Sequence, residues 1–369
     1  MNFRIPLSSP DITQAEIDAV TAVLRTTQLS LGPELTAFET ALARYHQVPH
    51  AVAVSSGTAG LHLALLTLGI GPGHEVIVPS FAFIAVANAV LQVGATPIFA
   101  DIDPLTFNLD PKRVEEAISP RTSALLVVHT FGIPAAMDAL RDLAARHNLV
   151  LIEDACEAIG ATFKERLVGT FGDLSVFGFY PNKQLTTGEG GAVLAHSAEH
   201  AARLRSLRNQ GRSGTDWLDH AELGFNYRLS ELACALGRVQ LGRLAELLAQ
   251  RTAAARNYLR LLGDIPGLKL PPTSLPDREI SWFVFVVQLP DGSDRQRLQA
   301  ELHARGIATG RYFAPIHLQP AWKNSLRRHA PLPVTEAVAQ RVLAIPLFNR
   351  ITKQQQEEVA NTLAELVIP

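Results

Sequence analysis

Lys183 lies in the segment GFYPNKQLTTGEGG, Gly178–Gly191, after an apolar run and a proline and before a loop of small and hydroxyl residues. That is a poor place for an ordinary solvated charge. Even so, a lone lysine near a loop is more often a solubilising group than a reactive amine, so its companions decide the matter. Asp154 closes the apolar run Val150-Leu151-Ile152-Glu153. A carboxylate at the C-terminal edge of a parallel sheet points into the crevice where α/β proteins bind ligands. Opposite a pyridine nitrogen it would keep that nitrogen protonated and make the ring an electron sink. From position alone, a helix N-cap is the commoner role for such an aspartate.

Two further groups complete the set. Ser55-Ser56-Gly57-Thr58 joins a strand-like run to a helix-like one. Backbone N–H groups at a helix start, with hydroxyls beside them, suit a phosphate, although Gly, Ser and Thr also serve there as plain caps. Phe83 follows the run Glu75–Val78 and could stack on a planar ring, but buried aromatics are core residues far more often. There is no G-x-G-x-x-G and no lysine of the P-loop kind after the turn, so a dinucleotide or nucleoside-triphosphate site lacks its main support.

The elements that must hold these groups are legible as short apolar runs. They are Ala51–Val54, Glu75–Val78, Pro97–Ala100, Ala124–Val128, Leu149–Glu153, Leu174–Phe179 and Gly191–Ala195. Most are apolar throughout rather than alternating, as strands buried on both faces of a parallel sheet are. Helix-like stretches at Thr58–Leu68, Phe81–Leu91 and Ala135–His147 intervene, so the class is α/β with a sheet of about seven strands. The long turn between the last two runs allows one of them to be antiparallel. Ser230–Leu262 is a strong helical pattern, rich in Leu, Ala and Arg, that could link two domains. Beyond it the rhythm changes, with a strand-like Trp282–Leu289 and helices near Arg295–Arg305 and Thr335–Leu343. We expect a large domain over 1–250 and a smaller α+β domain over 251–369.

Composition narrows the classes. The 369 residues carry 33 basic and 35 acidic side chains, which argues against a nucleic-acid or membrane-surface footprint. Two cysteines, Cys156 and Cys234, supply neither a disulfide framework nor a metal-ligand set. The N-terminal stretch lacks the basic and apolar parts of a secretion signal, and no apolar run is long enough to span a bilayer. The expectation is a cytoplasmic protein.

In their order, these pieces resemble sugar aminotransferases of the DegT, DnrJ, EryC and StrS type, built on the fold type I aminotransferase scaffold. The resemblance runs nearly end to end, through IPLSSPDI (Ile5–Ile12), LSLGPELTAFE (Leu29–Glu39), VSSGTAGLHLAL (Val54–Leu65) and VPSFAFIAVANAV (Val78–Val90). It continues through FADIDPLTFNLDP (Phe99–Pro111), IEDACEAIGA (Ile152–Ala161), GDLSVFGFYPNKQLTTGEGG (Gly172–Gly191) and GFNYRLSELACALGRVQL (Gly224–Leu241). RYFAPIHLQP (Arg311–Pro320) and LAIPLFN (Leu343–Asn349) close it.

The resemblance implies pyridoxal 5'-phosphate as cofactor, with Lys183 bonded covalently to its aldehyde and Asp154 paired with the pyridine nitrogen. It implies Phe83 stacked on the ring, Gly57 and Thr58 at the phosphate, and Asn226 reaching the phosphate from a neighbouring subunit, hence a homodimer with shared sites. Tyr180, Arg228 and His317 fall where the family contacts a sugar nucleotide. The implied reaction moves an amino group from an amino acid, L-glutamate, to a keto-sugar nucleotide. The product would be an amino sugar for polysaccharide or glycoside synthesis, aminated at C4 on the weight of the YFAPIHLQP segment and Tyr180. Two positions depart from the family. Glu157 stands where Gln or His is usual, and its carboxyl would repel the cofactor's phenolate oxygen unless protonated or paired. Gly178 stands where a phosphate-binding serine is usual.

Two alternatives use the same scaffold. A sugar dehydratase would replace the lysine, typically with His, or carry an iron–sulfur cluster, and two cysteines cannot ligate one. A non-catalytic regulator that binds the cofactor would have less reason to keep the lysine, the aspartate and the phosphate turn together.

Overall fold

The computed structural model describes residues 3–214, 218–323 and 330–367. All seven apolar runs form strands of one sheet: β1 (His50–Val54), β2 (Glu75–Pro79), β3 (Thr96–Ala100), β4 (Thr122–Val128), β5 (Val150–Asp154), β6 (Leu174–Gly178) and β7 (Gly191–Ala195). Their order is β1-β7-β6-β5-β4-β2-β3. Neighbours from β3 to β6 run parallel, and β7 runs antiparallel to both β6 and β1. The antiparallel strand is thus the last run, returning through the loop that carries Lys183. Apolar side chains lie in closed clusters, one around Val52, Leu63, Val78 and Ile152, another around Phe38, Ala53, Phe177 and Phe179. Burial on both faces is why these strands show no alternation.

Downstream, Phe285–Gln288 pairs antiparallel with Val342–Ile345. The helices Leu244–Leu262, Arg295–Ala304 and Lys353–Val367 enclose a separate cluster with this pair, including Tyr258, Phe285, Leu302, Leu343 and Leu363. No helix among the described residues is long and apolar enough to cross a membrane.

Three elements differ from expectation. The helix read from Phe81 begins at Ala85, because Phe81 is buried against Phe107, Phe131 and Phe313 instead of opening a turn. The helical pattern Ser230–Leu262 is divided into two helices, Glu231–Gly242 and Leu244–Leu262. They part at Arg243, whose guanidinium is fixed by Asp11 and Glu16. Within Trp282–Leu289 only Phe285–Gln288 pairs as strand.

The strand end that carries Asp154 is anchored by its neighbour Glu153, which is fully buried. Glu153 accepts hydrogen bonds from the N–H groups of Gly169 (2.8 Å), Phe171 (2.6 Å) and Gly172 (2.7 Å) and from Ser175 Oγ (3.0 Å). His129 Nε2 adds a fifth at 2.9 Å, its tautomer set by the Ala135 N–H that donates to Nδ1. Burial pushes the Glu153 carboxyl up, but bonds from His129, Gly169 and Gly172 outweigh it and hold the group below its usual range. A depressed carboxyl contributes stability that is complete above the unfolded-chain value and is lost as pH falls through the folded one. Glu153→Gln turns two of those donors against an amide NH2, so the expected loss is about 3 kcal/mol at neutral pH. Urea unfolding from pH 7 downward checks it: the variant's stability should also fall less steeply with acid than the wild type's.

Candidate active site

The C-terminal ends of β1, β5 and β6 open on a cavity of about 530 Å³. Gly57, Thr58, Phe83, Asp154, Glu157, Tyr180 and Lys183 all line it, drawn from four stretches of chain. A second cavity of about 580 Å³, edged by Asp103, Lys112 and Arg278, contains none of them.

Each group is placed by its own element. Ser56 caps the helix Gly57–Thr67, its Oγ accepting the Ala59 N–H at 3.0 Å. Gly57 and Thr58, the first two residues of that helix, line the cavity, and their N–H groups have no intrahelical acceptor, an arrangement suited to an anion. Asp154 ends β5 with its side chain nearly buried, and its Oδ1 accepts the Cys156 N–H at 3.1 Å. No helix follows, so the aspartate caps a turn rather than a helix. Phe83 lies on the wall with 62% of its surface exposed, and Tyr180 with 53%.

Lys183 is 14% exposed. Its Nζ stands 3.9 Å from the centroid of the Phe283 ring and 3.5 Å from Glu157 Oε1. The second distance is an ion contact more than a close hydrogen bond. Glu157 Oε2 accepts the Phe131 N–H at 2.9 Å. Burial pushes the Glu157 carboxyl up, against the opposing effects of the Lys183 ammonium and the Phe131 N–H.

The glycine at 178 has a steric reason. A Cβ there would lie 3.2 Å from Cys156 Sγ, and one on Gly57 only 2.8 Å from the same sulfur. The thiol fills the wedge between the two glycines, where a serine at 178 would need room. Burial, then the Asp154 charge, push that thiol well above its usual range, so it acts as an apolar filler.

Three residues singled out in the sequence are not on the cavity wall. Asn226 is exposed, on a backbone bridge to Asn209. Arg228 donates through Nη1 to Asn209 Oδ1 at 3.0 Å. His317 is buried, with Nδ1 2.7 Å from Ser80 Oγ and Nε2 3.4 Å from Glu336 Oε1. Conversely, Asn182, Phe283, Tyr312 and Phe313 line the cavity and were not singled out. Tyr312 and Phe313 fall inside the quoted RYFAPIHLQP segment, which was the available signal; Phe283 had none beyond an apolar run.

These residues fit pyridoxal phosphate. An open helix N-terminus, a carboxylate with one hydrogen bond, an exposed phenyl face and a lysine amine share one cavity, so each could serve its own part of the cofactor. A family model, the DegT/DnrJ/EryC1/StrS aminotransferase family, matches residues 10–364. A dTDP-3-amino-3,4,6-trideoxy-alpha-D-glucose transaminase of Streptomyces venezuelae is 43% identical over 95% of this chain and 92% of its own. A GDP-perosamine synthase of Caulobacter vibrioides is 38% identical over 99% of both. Among solved structures, S. venezuelae DesV superposes with a TM-score of 0.92 at 40% identity, covering 99% of each chain.

Proposed function

The chain belongs to the DegT/DnrJ/EryC1/StrS aminotransferase family and depends on pyridoxal phosphate; on that premise we propose that it transfers the amino group of L-glutamate to C4 of a nucleotide-linked keto sugar. The observation that carries this reading is the meeting of Lys183, Asp154 and the Gly57–Thr58 helix start in one cavity. The relatives' names support the nucleotide-sugar class. The choice of C4 rests on Tyr180 and the YFAPIHLQP segment; Tyr180 lines the cavity, as do Tyr312 and Phe313 of that segment.

When bound, the cofactor supplies an aldehyde that bonds to amines and a ring that accepts electrons. The chain supplies the rest. Lys183 Nζ carries a proton from the substrate carbon and returns one, as base and then acid. Asp154 would hold negative charge at the pyridine nitrogen. The N–H groups of Gly57 and Thr58 would hold the phosphate, and Phe83 would cover the ring. Mass spectrometry of products from glutamate and a panel of 3-keto and 4-keto nucleotide sugars tests the proposal. Amination of a 4-keto sugar is expected; cofactor binding without turnover on any sugar would overturn it in favour of a regulator.

The exposed position of Asn226, away from its own chain's cavity, supports a shared site in a homodimer. Lys183→Ala and Asn226→Ala should then complement each other. Mixing the two inactive or weakened proteins under subunit exchange should restore about a quarter of wild-type activity, since half the dimers are mixed and each carries one intact site. No gain on mixing would exclude a shared site.

Glu157 belongs to the same proposal, beside the cofactor's ring oxygen, with burial pushing its carboxyl toward the protonated form that could donate there. A carboxyl raised by burial keeps its proton in the folded chain over a window where the unfolded chain has lost it. Stability therefore falls as pH rises from the ordinary carboxyl value to the raised one. Glu157→Gln keeps an acceptor for the Phe131 N–H and a donor, and removes the titration. We expect turnover within about threefold of wild type at neutral pH, as for a near-isosteric polar swap. Thermal unfolding of the cofactor-free protein across the acid range should show a smaller pH dependence in the variant.

A further inference from the structure

Arg251, in the helix Leu244–Leu262, is 1% exposed and forms no ion pair among the described residues. All five of its N–H donors nevertheless meet acceptors. Nε donates to Asn349 Oδ1 (3.1 Å), Nη1 to the carbonyls of Phe283 (3.0 Å) and Trp282 (3.4 Å), and Nη2 to those of Lys183 (3.2 Å) and Asn182 (3.5 Å). Only a guanidinium offers five donors in one rigid plane, and a lysine would leave at least two of these acceptors unmet. A buried cation without a counter-charge is costly, and burial brings the Arg251 guanidinium down to about 10, still charged at neutral pH.

What the five bonds join is the notable part. One fork holds the backbone of Lys183; the other holds the backbone of Phe283, whose ring lies 3.9 Å from the Lys183 amine. Gln184 adds a second tie between the same two stretches, its Nε2 donating to Glu157 O (2.7 Å), Ser281 Oγ (2.9 Å) and Ser281 O (3.1 Å). The amine, the ring beneath it and the carboxyl beside it are thus fixed on a common frame. We propose that Arg251 is a positioning residue that holds the Lys183 backbone and the Phe283 ring in register, aiming the ε-amine at the cofactor's aldehyde.

The proposal rests on Lys183 being the covalent lysine, and the test separates the two. Cofactor-free Arg251→Lys is mixed with pyridoxal phosphate. Non-covalent affinity is read by equilibrium dialysis at early times, and covalent attachment by the rise of visible absorbance in stopped flow. Borohydride reduction and peptide mapping then locate the attached group. Non-covalent affinity is expected within about threefold of wild type, with covalent attachment slowed about 10- to 100-fold, the scale of an ångström-level misplacement of a reacting group. Phe283→Leu leaves the fork intact, removes the ring and should share the slow attachment; it decides the matter if Arg251→Lys does not fold. Attachment at the wild-type rate in either folded variant, or parallel loss of affinity and rate in both, would overturn the proposal. A reduced cofactor mapped to a lysine other than Lys183 in the wild type would instead overturn the assignment beneath it.

Discussion

Lys183→Ala is expected to lower transamination by at least about 10⁴-fold, because it removes the covalent attachment point and the proton carrier together. It should also abolish the visible absorbance of lysine-attached cofactor, while the fold survives. The geometry says why. The Lys183 amine is the cation beside Glu157, at 3.5 Å, and its charge is what opposes the upward push of burial on that carboxyl. With the amine gone, the opposing pull on Glu157 is lost and burial pushes its carboxyl further up, which limits the charge this group leaves unpaired. Thermal unfolding of the cofactor-free variant should therefore stay within a few degrees of wild type at neutral pH. Activity comparable to wild type, or visible absorbance that borohydride reduction traps at one and the same other lysine in wild type and variant, would show that another lysine carries the chemistry.

Much of this arrangement is legible in the sequence because it depends on local signals. A buried parallel strand must be apolar on both faces, so Ala124–Val128 and Leu174–Phe179 announce themselves. Asp154 stands out because a carboxylate ends such a run, and Lys183 because it follows one. What is not legible depends on tertiary contacts. Nothing in the Arg-rich helix pattern around Arg251 distinguishes a guanidinium that spends all five donors on carbonyls from the solvated arginines beside it. The aromatic run from Trp282 reads as strand, yet Phe283 lies outside the paired residues and turns its ring to Lys183. The break at Arg243 is equally hidden, since the side chains that fix it, Asp11 and Glu16, lie more than 200 residues earlier. Gly178 reads as a lost phosphate ligand; only the structure shows that Cys156 occupies its space.

Asp154→Asn separates charge from architecture at the other pole of the cavity, and its expected effect is a loss of about 10²–10³-fold in kcat/KM, the scale of removing one preorganised electrostatic contact. The substitution is nearly isosteric. Asparagine keeps an Oδ1 to accept the Cys156 N–H, now 3.1 Å from the carboxylate, and the backbone bonds from His129 to Asp154 O and from Ala155 to Val176 O do not involve the side chain. The turn that closes β5 should therefore persist, and urea unfolding of the cofactor-free variant should match wild type within about 1 kcal/mol. What disappears is the negative charge that would hold a proton on the pyridine nitrogen, and with it the ring's capacity to take up electrons. Asp154→Ala removes the acceptor as well as the charge. It should lose stability in addition to activity, because the Cys156 N–H beneath the cavity is left without a partner. The comparison is decisive in one direction: an Asp154→Asn enzyme within fivefold of wild type would reduce Asp154 to a turn former. A slow, fully folded Asp154→Asn beside a slow, destabilised Asp154→Ala assigns the charge to chemistry and the oxygen to the fold.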